Sequence, residues 1–332
     1  MTDKTRIAIV GYGNVGKGVH SALAHNPDMV LSGILTRDVE RTEKSLVERA
    51  DVILSSDYPH LIKDLASMTD VAVLCGGSAT DLPKQGPFYS ALFNTVDSFD
   101  THADIPAYFS KMDDTARLAK KTAVICAGWD PGTFSLERVL GNSFIPGSSK
   151  YVFWGKGVSQ GHSQAIRAVD GVLDGIQYTV PVQEALNLVR SGRNPELTTR
   201  QKHKRECYIA LKPNANQEEV TRAIVTMPKY FSDYDTTVTI ETPEQIAERK
   251  KSMPHGGFVL TSGETGNGNK ALIEYQNNWA SNPEATGSIL LACARACNRL
   301  NKEEKVGAYT MLDIPPAYYN ALSREELLKN WM

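Results

Sequence analysis

The chain has 332 residues, of which 41% are hydrophobic and 22% charged, with 36 Lys and Arg against 38 Asp and Glu for a formal net charge of -2. That balance leaves no cationic excess for nucleic acid or an anionic membrane surface, and the length suits two compact domains. No apolar run reaches the roughly 20 residues of a membrane span, and the first strand begins too soon after Met1 for a signal peptide, so a cytoplasmic protein is expected.

In chain order, the first stretch with a clear physical meaning is RIAIVGYGNVGKG, Arg6 to Gly18. An apolar strand, Ile7 to Val10, stops at Gly11, and Gly11, Gly13 and Gly16 then follow the G-x-G-x-x-G spacing. That spacing permits a sharp turn, close approach of backbone to a pyrophosphate, and tight packing of helix on strand. Val15, Val19 and Leu23 continue with helical periodicity, so the helix N-terminus faces the phosphate. Dinucleotide binding is expected here, through Gly11, Tyr12, Gly13, Asn14, Val15 and Gly16.

Met29 to Thr36 reads as the second strand, whose end selects between NAD and NADP. Thr36 and Arg37 offer a hydroxyl and a guanidinium suited to a 2′-phosphate, which favours NADP. Asp38 is the competing residue, because a carboxylate facing the ribose would favour NAD. The apolar strand Val71 to Cys75 runs into Gly76, Gly77, Ser78 and Ala79, a small-residue loop suited to pass over a cofactor. A further strand, Asn94 to Val96, ends in Asp97, Ser98, Phe99 and Asp100. A helix over about Ile105 to Lys121 leads to Thr122–Cys126, which ends in Ala127, Gly128, Trp129, Asp130, Pro131 and Gly132. This alternation predicts an α/β fold, a Rossmann-type doubly wound parallel sheet with ligands at the carboxyl ends of its strands. Cys75, Ser98, Phe99, Ala127, Gly128 and Pro131 are cofactor-site candidates on that ground.

Near residue 130 the pattern becomes α+β. Strands are expected over Tyr151–Trp154, Ile176–Val180, about Glu206–Leu211, Thr236–Glu241, Gly257–Ser262 and Ala271–Gln276, with helices over Ser163–Val169, Val182–Ser191 and Gln217–Thr226. A long helix follows over about Pro283–Leu300. The expected domains are 1–128, a cofactor domain completed by residues from about 300 to 332, and 129–300, a substrate-binding and dimerisation domain.

Asp97, Asp100 and Asp104 crowd one strand end with His102, and Asp130 follows the next. Carboxylates there can hold a substrate ammonium or accept a proton. Asp104, just ahead of Ile105 and Pro106, reads as a helix cap, whereas Asp100 and Asp130 are the catalytic candidates. A metal held by several aspartates and His102 is a chemically acceptable alternative, although nothing else in the chain demands a metal. Within the cationic stretch Thr199 to Arg205, Lys202 and Lys204 read as solvated surface and Arg205 as a carboxylate clamp. His255 is expected on a rigid loop, Met253 to Gly257. Cys75, Cys126, Cys207, Cys293 and Cys297 show no metal or disulfide spacing. Cys126 is the one candidate nucleophile, with a structural thiol the better reading.

The segments GYGNVGKG, CGGSATDLP, TVDSFDTHADIP, AGWDPGTFS, FWGKGVSQGHSQAIR, HKRECY, MPHGG and NPEATGS, in this order, resemble the meso-diaminopimelate dehydrogenase family. The resemblance runs from the first strand to the final helices. It implies NADP-dependent, reversible oxidative deamination of meso-2,6-diaminopimelate at its D-centre, giving L-2-amino-6-oxopimelate and ammonia in lysine and cell-wall synthesis, by a homodimer. It places Asp100, Trp129 and Asp130 beside the reacting end, and Trp154, Gln160 and Gly161 over the substrate. It assigns Thr179, Arg205, His255 and Asn282 to the distal end, Thr179 and Asn282 on the resemblance alone. One departure stands out: relatives often carry two arginines after the second strand, and this chain has Arg37 then Asp38. Two rival functions remain at this stage: another Rossmann oxidoreductase of the aspartate pathway, such as aspartate-semialdehyde dehydrogenase, and a non-catalytic NADP-binding sensor.

Overall fold

A computed structural model describes residues 4–332. Its contacts group them into two units, residues 4–136 with Pro283–Met332, and Glu137–Asn282. The boundaries expected at 128 and 300 therefore lie instead at 136/137 and 282/283. The later shift has a physical cause: the long helix, Asn282–Lys302, lays Leu290, Leu291, Ala294 and Cys297 into the apolar core of the first unit.

The first unit is built on a seven-stranded sheet. Six strands come from its N-terminal part, β1 (Thr5–Val10), β2 (Met29–Thr36), β3 (Ile53–Ser55), β4 (Val71–Leu74), β5 (Asn94–Asp97) and β6 (Thr122–Val124), and the seventh is Gly307–Tyr309. All pairings are parallel, in the order Gly307–Tyr309, β6, β5, β4, β1, β2, β3. Successive side chains alternate between faces, so Ile7, Ile9, Val71 and Val73 join one apolar cluster while Ala8, Val10, Ala72 and Leu74 join the other. Burial on both faces is why these strands read as unbroken apolar runs. The strand order reverses direction between β1 and β4, and an open α/β sheet binds its ligand at the carboxyl ends beside such a switch.

The second unit carries two smaller sheets. Its strands are β7 (Ser149–Trp154), β8 (Gly157–Val158), β9 (Val172–Pro181), β10 (His203–Leu211), β11 (Asp235–Ile240), β12 (His255–Glu264) and β13 (Lys270–Trp279). One sheet runs β11-β10-β9-β8 and the other β13-β12-β7. Only the β10–β11 pairing in these two sheets is parallel. Among the described residues, no helix is long and apolar enough to cross a membrane.

Candidate active site

The turn after β1 is built from glycines for steric reasons. Gly11 has φ +90°, and a Cβ on Gly16 would lie 2.2 Å from the Gly11 carbonyl oxygen, so only glycine lets the helix Asn14–Leu23 pack this close to the turn. A Cβ on Gly13 would meet nothing within 4 Å, which leaves its backbone open to a ligand. Gly11, Tyr12, Gly13, Thr36, Arg37, Cys75, Gly76 and Gly77 all line one pocket at the strand ends. Asn14 starts the helix, while Val15 packs on the core and Gly16 is buried. Asp38, Arg41, Asp81 and Gln85 line the same pocket, and of these only Asp38 was weighed on sequence. The signal for Arg41 was present in the short pattern Asp38-x-x-Arg41, a capping residue followed by the first turn of a helix.

The ends of β5 and β6 are tied together by Asp97, which is fully buried. Its carboxylate accepts hydrogen bonds from the Tyr108 hydroxyl at 2.7 Å, the Phe99 amide at 3.0 Å and the Cys126 amide at 3.3 Å. Burial pushes its pKa up to about 6. Asp100 is exposed at the head of the next segment, and its amide donates to the Ser78 hydroxyl at 2.8 Å, which fastens the β4 and β5 loops to each other. Ser98 is half-buried and Ala127 and Gly128 are buried. The Phe99 ring is stacked on Tyr108 at 4.1 Å inside the core, so only its backbone remains for a ligand. Asp104 occupies the residue before the helix Ile105–Leu118, but its side chain makes no capping hydrogen bond, contrary to the expected cap. His102 is exposed in the preceding helical turn.

Asp130 sits in a tight turn. Trp129 pairs with Gly132 in an isolated bridge, the Asp130–Pro131 peptide is cis, and a Cβ on Gly132 would lie 1.8 Å from the Gly128 oxygen. The Phe134 amide donates to the Trp129 carbonyl at 2.7 Å, and the Trp129 ring meets Phe134 edge-on at 4.9 Å. The turn thus fixes the backbone on both sides of the carboxylate. Cys126, five per cent exposed, has its thiol pushed up to about 12, chiefly by burial and then by Asp97 and Asp100. A thiol so placed is no nucleophile near neutral pH.

In the second unit, strand register gathers the remaining candidates. Arg205 on β10 lies directly opposite Thr179 on β9, and Gly157 on β8 pairs with the same Thr179. An Arg205 Nη1–H donates to the Thr179 hydroxyl, and the guanidinium lies 3.8 Å from the Tyr234 ring centroid. Arg205 is five per cent exposed, its Nε–H has no hydrogen-bond partner, and it makes no ion pair among the described residues. Burial lowers its pKa. Leaving a guanidinium buried without an anion is costly, and the chemistry of this corner can accept a carboxylate.

His255 begins β12 instead of sitting in a loop, and its Nδ1 accepts from the Gly256 amide at 2.8 Å. A Cβ on Gly157 would lie 2.8 Å from that same ring nitrogen, which brings His255 beside the Thr179–Arg205 pair. Gln160 and Gly161 open the helix Gln160–Arg167, which starts three residues before its expected position because Ser159 caps it. Gln160 reaches Met253 Sδ at 3.0 Å, and the Asn282 amide donates to the Met253 carbonyl at 2.8 Å. The Trp154 amide donates to His203 Nε2 at 2.9 Å, and the two rings stack at 5.2 Å. His203 escaped notice on sequence because it lies inside a cationic stretch that reads as surface; it is buried, and Lys204 beside it is exposed.

A glycine-spaced turn and pocket at the switch point of a parallel sheet, joined to an α+β unit, define a Rossmann-type dinucleotide-binding protein with an appended second unit. Residues 128–281 match the family model of the diaminopimelic acid dehydrogenase C-terminal domain. The meso-diaminopimelate D-dehydrogenase of Acetivibrio thermocellus is 52% identical over 330 residues, 99% of this chain and 98% of that protein. The solved structure of C. glutamicum DAP dehydrogenase in complex with DAP is 36% identical, with TM-score 0.89 and coverage of 100% of both chains. An engineered D-amino acid dehydrogenase bound to NADP+ is 34% identical, with TM-score 0.84 and coverage of 99% of this chain and 100% of that one. The chain belongs to the meso-diaminopimelate dehydrogenase family.

Proposed function

We propose that this chain catalyses the NADP-dependent, reversible oxidative deamination of meso-2,6-diaminopimelate at its D-centre, giving L-2-amino-6-oxopimelate and ammonia in lysine biosynthesis. The observation that carries the substrate assignment is the buried Arg205, hydrogen-bonded to Thr179 and lacking any carboxylate of its own. A cytoplasmic homodimer is part of the same proposal, with residues 4–136 and 283–332 as the cofactor domain and 137–282 as the substrate-binding and dimerisation domain.

The pocket fits the cofactor on its own geometry, since the glycine turn leaves the backbone open and two guanidinium-bearing residues, Arg37 and Arg41, line it at the end of β2. Ser98, Phe99, Ala127, Gly128 and Pro131 lie outside the lining of that pocket, on the loops after β5 and β6, and are assigned to the cofactor as part of the same proposal. Bound NADP supplies the hydride acceptor, or in reverse NADPH the donor. Asp100 or Asp130 takes a proton from the substrate ammonium, because hydride does not leave readily from a carbon bearing a protonated amine, and then assists water in hydrolysing the imine. The rigid turn around Asp130 suits that work, since proton transfer requires the carboxylate to be held within hydrogen-bond reach. Trp129 is assigned with Asp130 to the reacting end, Trp154, Gln160 and Gly161 to substrate contact, and Thr179, Arg205, His255 and Asn282 to holding the distal amino acid. The high thiol pKa of Cys126 speaks against cysteine-dependent aldehyde chemistry.

NADP reduction with meso-, L,L- and D,D-diaminopimelate tests the reading. The meso isomer should turn over, the L,L isomer, which has no D-centre, should not, and the D,D isomer should be poor because its distal end is inverted. Absence of turnover with the meso isomer, or equal rates with the L,L isomer, would overturn the assignment.

A further inference from the structure

We infer that Arg41 is a specificity residue for the cofactor, acting with Arg37 to recognise the 2′-phosphate, and that Asp38 serves this recognition by capping a helix. The inference rests on the NADP reading above. The sequence left Asp38 as a potential ribose ligand, but it is the N-cap of the helix Val39–Lys44, and its Oδ1 accepts from the Arg41 amide at 3.0 Å. The Thr36 hydroxyl is likewise engaged at the helix start, accepting from the Asp38 amide at 3.3 Å and the Thr42 hydroxyl at 2.9 Å. One carboxylate oxygen of Asp38 and the Thr36 hydroxyl are therefore engaged in shaping the loop that presents Arg37 and Arg41.

Charge makes Arg41 decisive. Only four charged residues line the pocket: Arg37, Asp38, Arg41 and Asp81. Arg37 is itself shared, with Nη1 3.7 Å from Asp81 Oδ1, while Asp81 Oδ2 accepts the Gly77 amide at 2.9 Å and so is fixed in place. Without Arg41 the lining would carry one net negative charge, which repels a phosphate; with Arg41 it is neutral and offers a second guanidinium fork. Lys44, on the same short helix, does not substitute, since it pairs with Glu40 and lies outside the lining. Arg41 makes no ion pair among the described residues.

The test is binding, measured apart from turnover, by titration calorimetry of the full chain with NADP+ and NAD+, and with 2′,5′-ADP and ADP as nicotinamide-free probes. Arg41→Ala should weaken NADP+ and 2′,5′-ADP by about five- to fiftyfold, the span between an exposed ion pair and a charge-assisted hydrogen bond. NAD+ and ADP should change by less than about twofold, and Arg41→Lys should recover part of the loss because it keeps the charge without the fork. The loss should shrink at about 1 M salt, where screening is nearly complete. Unchanged NADP+ affinity in Arg41→Ala, or an equal fall for NADP+ and NAD+, overturns the inference while leaving the cofactor reading standing. An unmodified chain that binds NAD+ as tightly as NADP+ overturns both.

Discussion

The two units prepare their sites in opposite ways. The first offers a cofactor pocket made largely of backbone and small residues, where a motif of glycines sets the shape and charged side chains sit at an exposed rim. The second buries its polar chemistry: Arg205, His203 and His162 lie close enough for the guanidinium to depress both imidazoles, and no carboxylate neutralises the group. His162 is pushed down to about 4 and His203 to about 3, in each case chiefly by burial and then by Arg205. Two of the three basic groups are thus kept neutral and one remains charged. Loss of one rim charge should therefore cost less than loss of the single buried charge around which the second site is organised.

The largest effect expected from breaking this contrast is at Arg205. Arg205→Ala should lower kcat/KM for meso-diaminopimelate by about thirty- to a thousandfold, because a desolvated carboxylate left unpaired costs about 2 to 4 kcal/mol. A short D-amino acid that cannot reach the distal corner should be affected little, and Arg205→Lys should recover only part of the loss. The decisive quantity is the ratio of the two kcat/KM values in variant and parent. A common fall for both substrates would mean that Arg205 supports the fold, and not the distal clamp.

The next effect concerns pH. His203 accepts the Trp154 amide through Nε2, a role open only to the neutral ring. Its folded pKa, about 3, lies below the ordinary imidazole value of 6.5, so its contribution is intact above 6.5 and is lost as the pH falls toward 3. By about pH 4 the loss should reach about 3 kcal/mol. His203→Gln keeps an acceptor and removes the titration, so urea unfolding should show a flatter acid dependence than the parent between about pH 7 and 4. Identical slopes would show that the imidazole is not kept neutral by burial.

How much of this was legible in the sequence follows the same division. Gly11, Gly13 and Gly16 announced the cofactor turn because a steric requirement on backbone leaves a fixed spacing in the chain. The strand ends followed from apolar runs that stop at small residues, and Thr36, Arg37, Cys75 and Gly76, singled out there as cofactor candidates, line one pocket. The strands Ile53–Ser55 and Gly307–Tyr309 were missed, since three residues are too few to show a period. In the second unit, strand register brings Thr179 opposite Arg205 across 26 residues of sequence, and no local pattern carries that pairing. Only the resemblance to a family supplied Thr179 and Asn282. His203 and Arg205 share a segment with the half-buried Lys202 and the exposed Lys204, and the alternation of a strand that hides every second residue was masked by their common charge.

The smallest predicted effect lies in the first unit and has the opposite sign to that of His203. Asp97 is fully buried without a cation, and its folded pKa of about 6 is above the ordinary carboxylate value of 3.8. The folded state therefore binds its proton more tightly than the unfolded chain does. Its contribution to stability is fully present below about 3.8 and is lost as the pH rises through about 6, so at neutral pH the ionised group weighs against the fold. Asp97→Asn removes that ionisation and keeps an oxygen for the Phe99 and Cys126 amides, while the Tyr108 hydroxyl can turn to accept from the new amide. The variant should match the parent near pH 4 and exceed it by about 1 to 2 kcal/mol near pH 7, a figure kept below the full linkage value because the charged hydrogen bonds are lost as well. Asp28, held below the usual carboxylate range by its hydrogen bonds from Arg295, titrates beneath this window and does not confuse the comparison. Chemical denaturation of both proteins at the two pH values decides the matter. A variant weakened equally at both would show that the hydrogen bonds to the carboxylate outweigh its burial, and that Asp97 joins the ends of β5 and β6 as a stable anion.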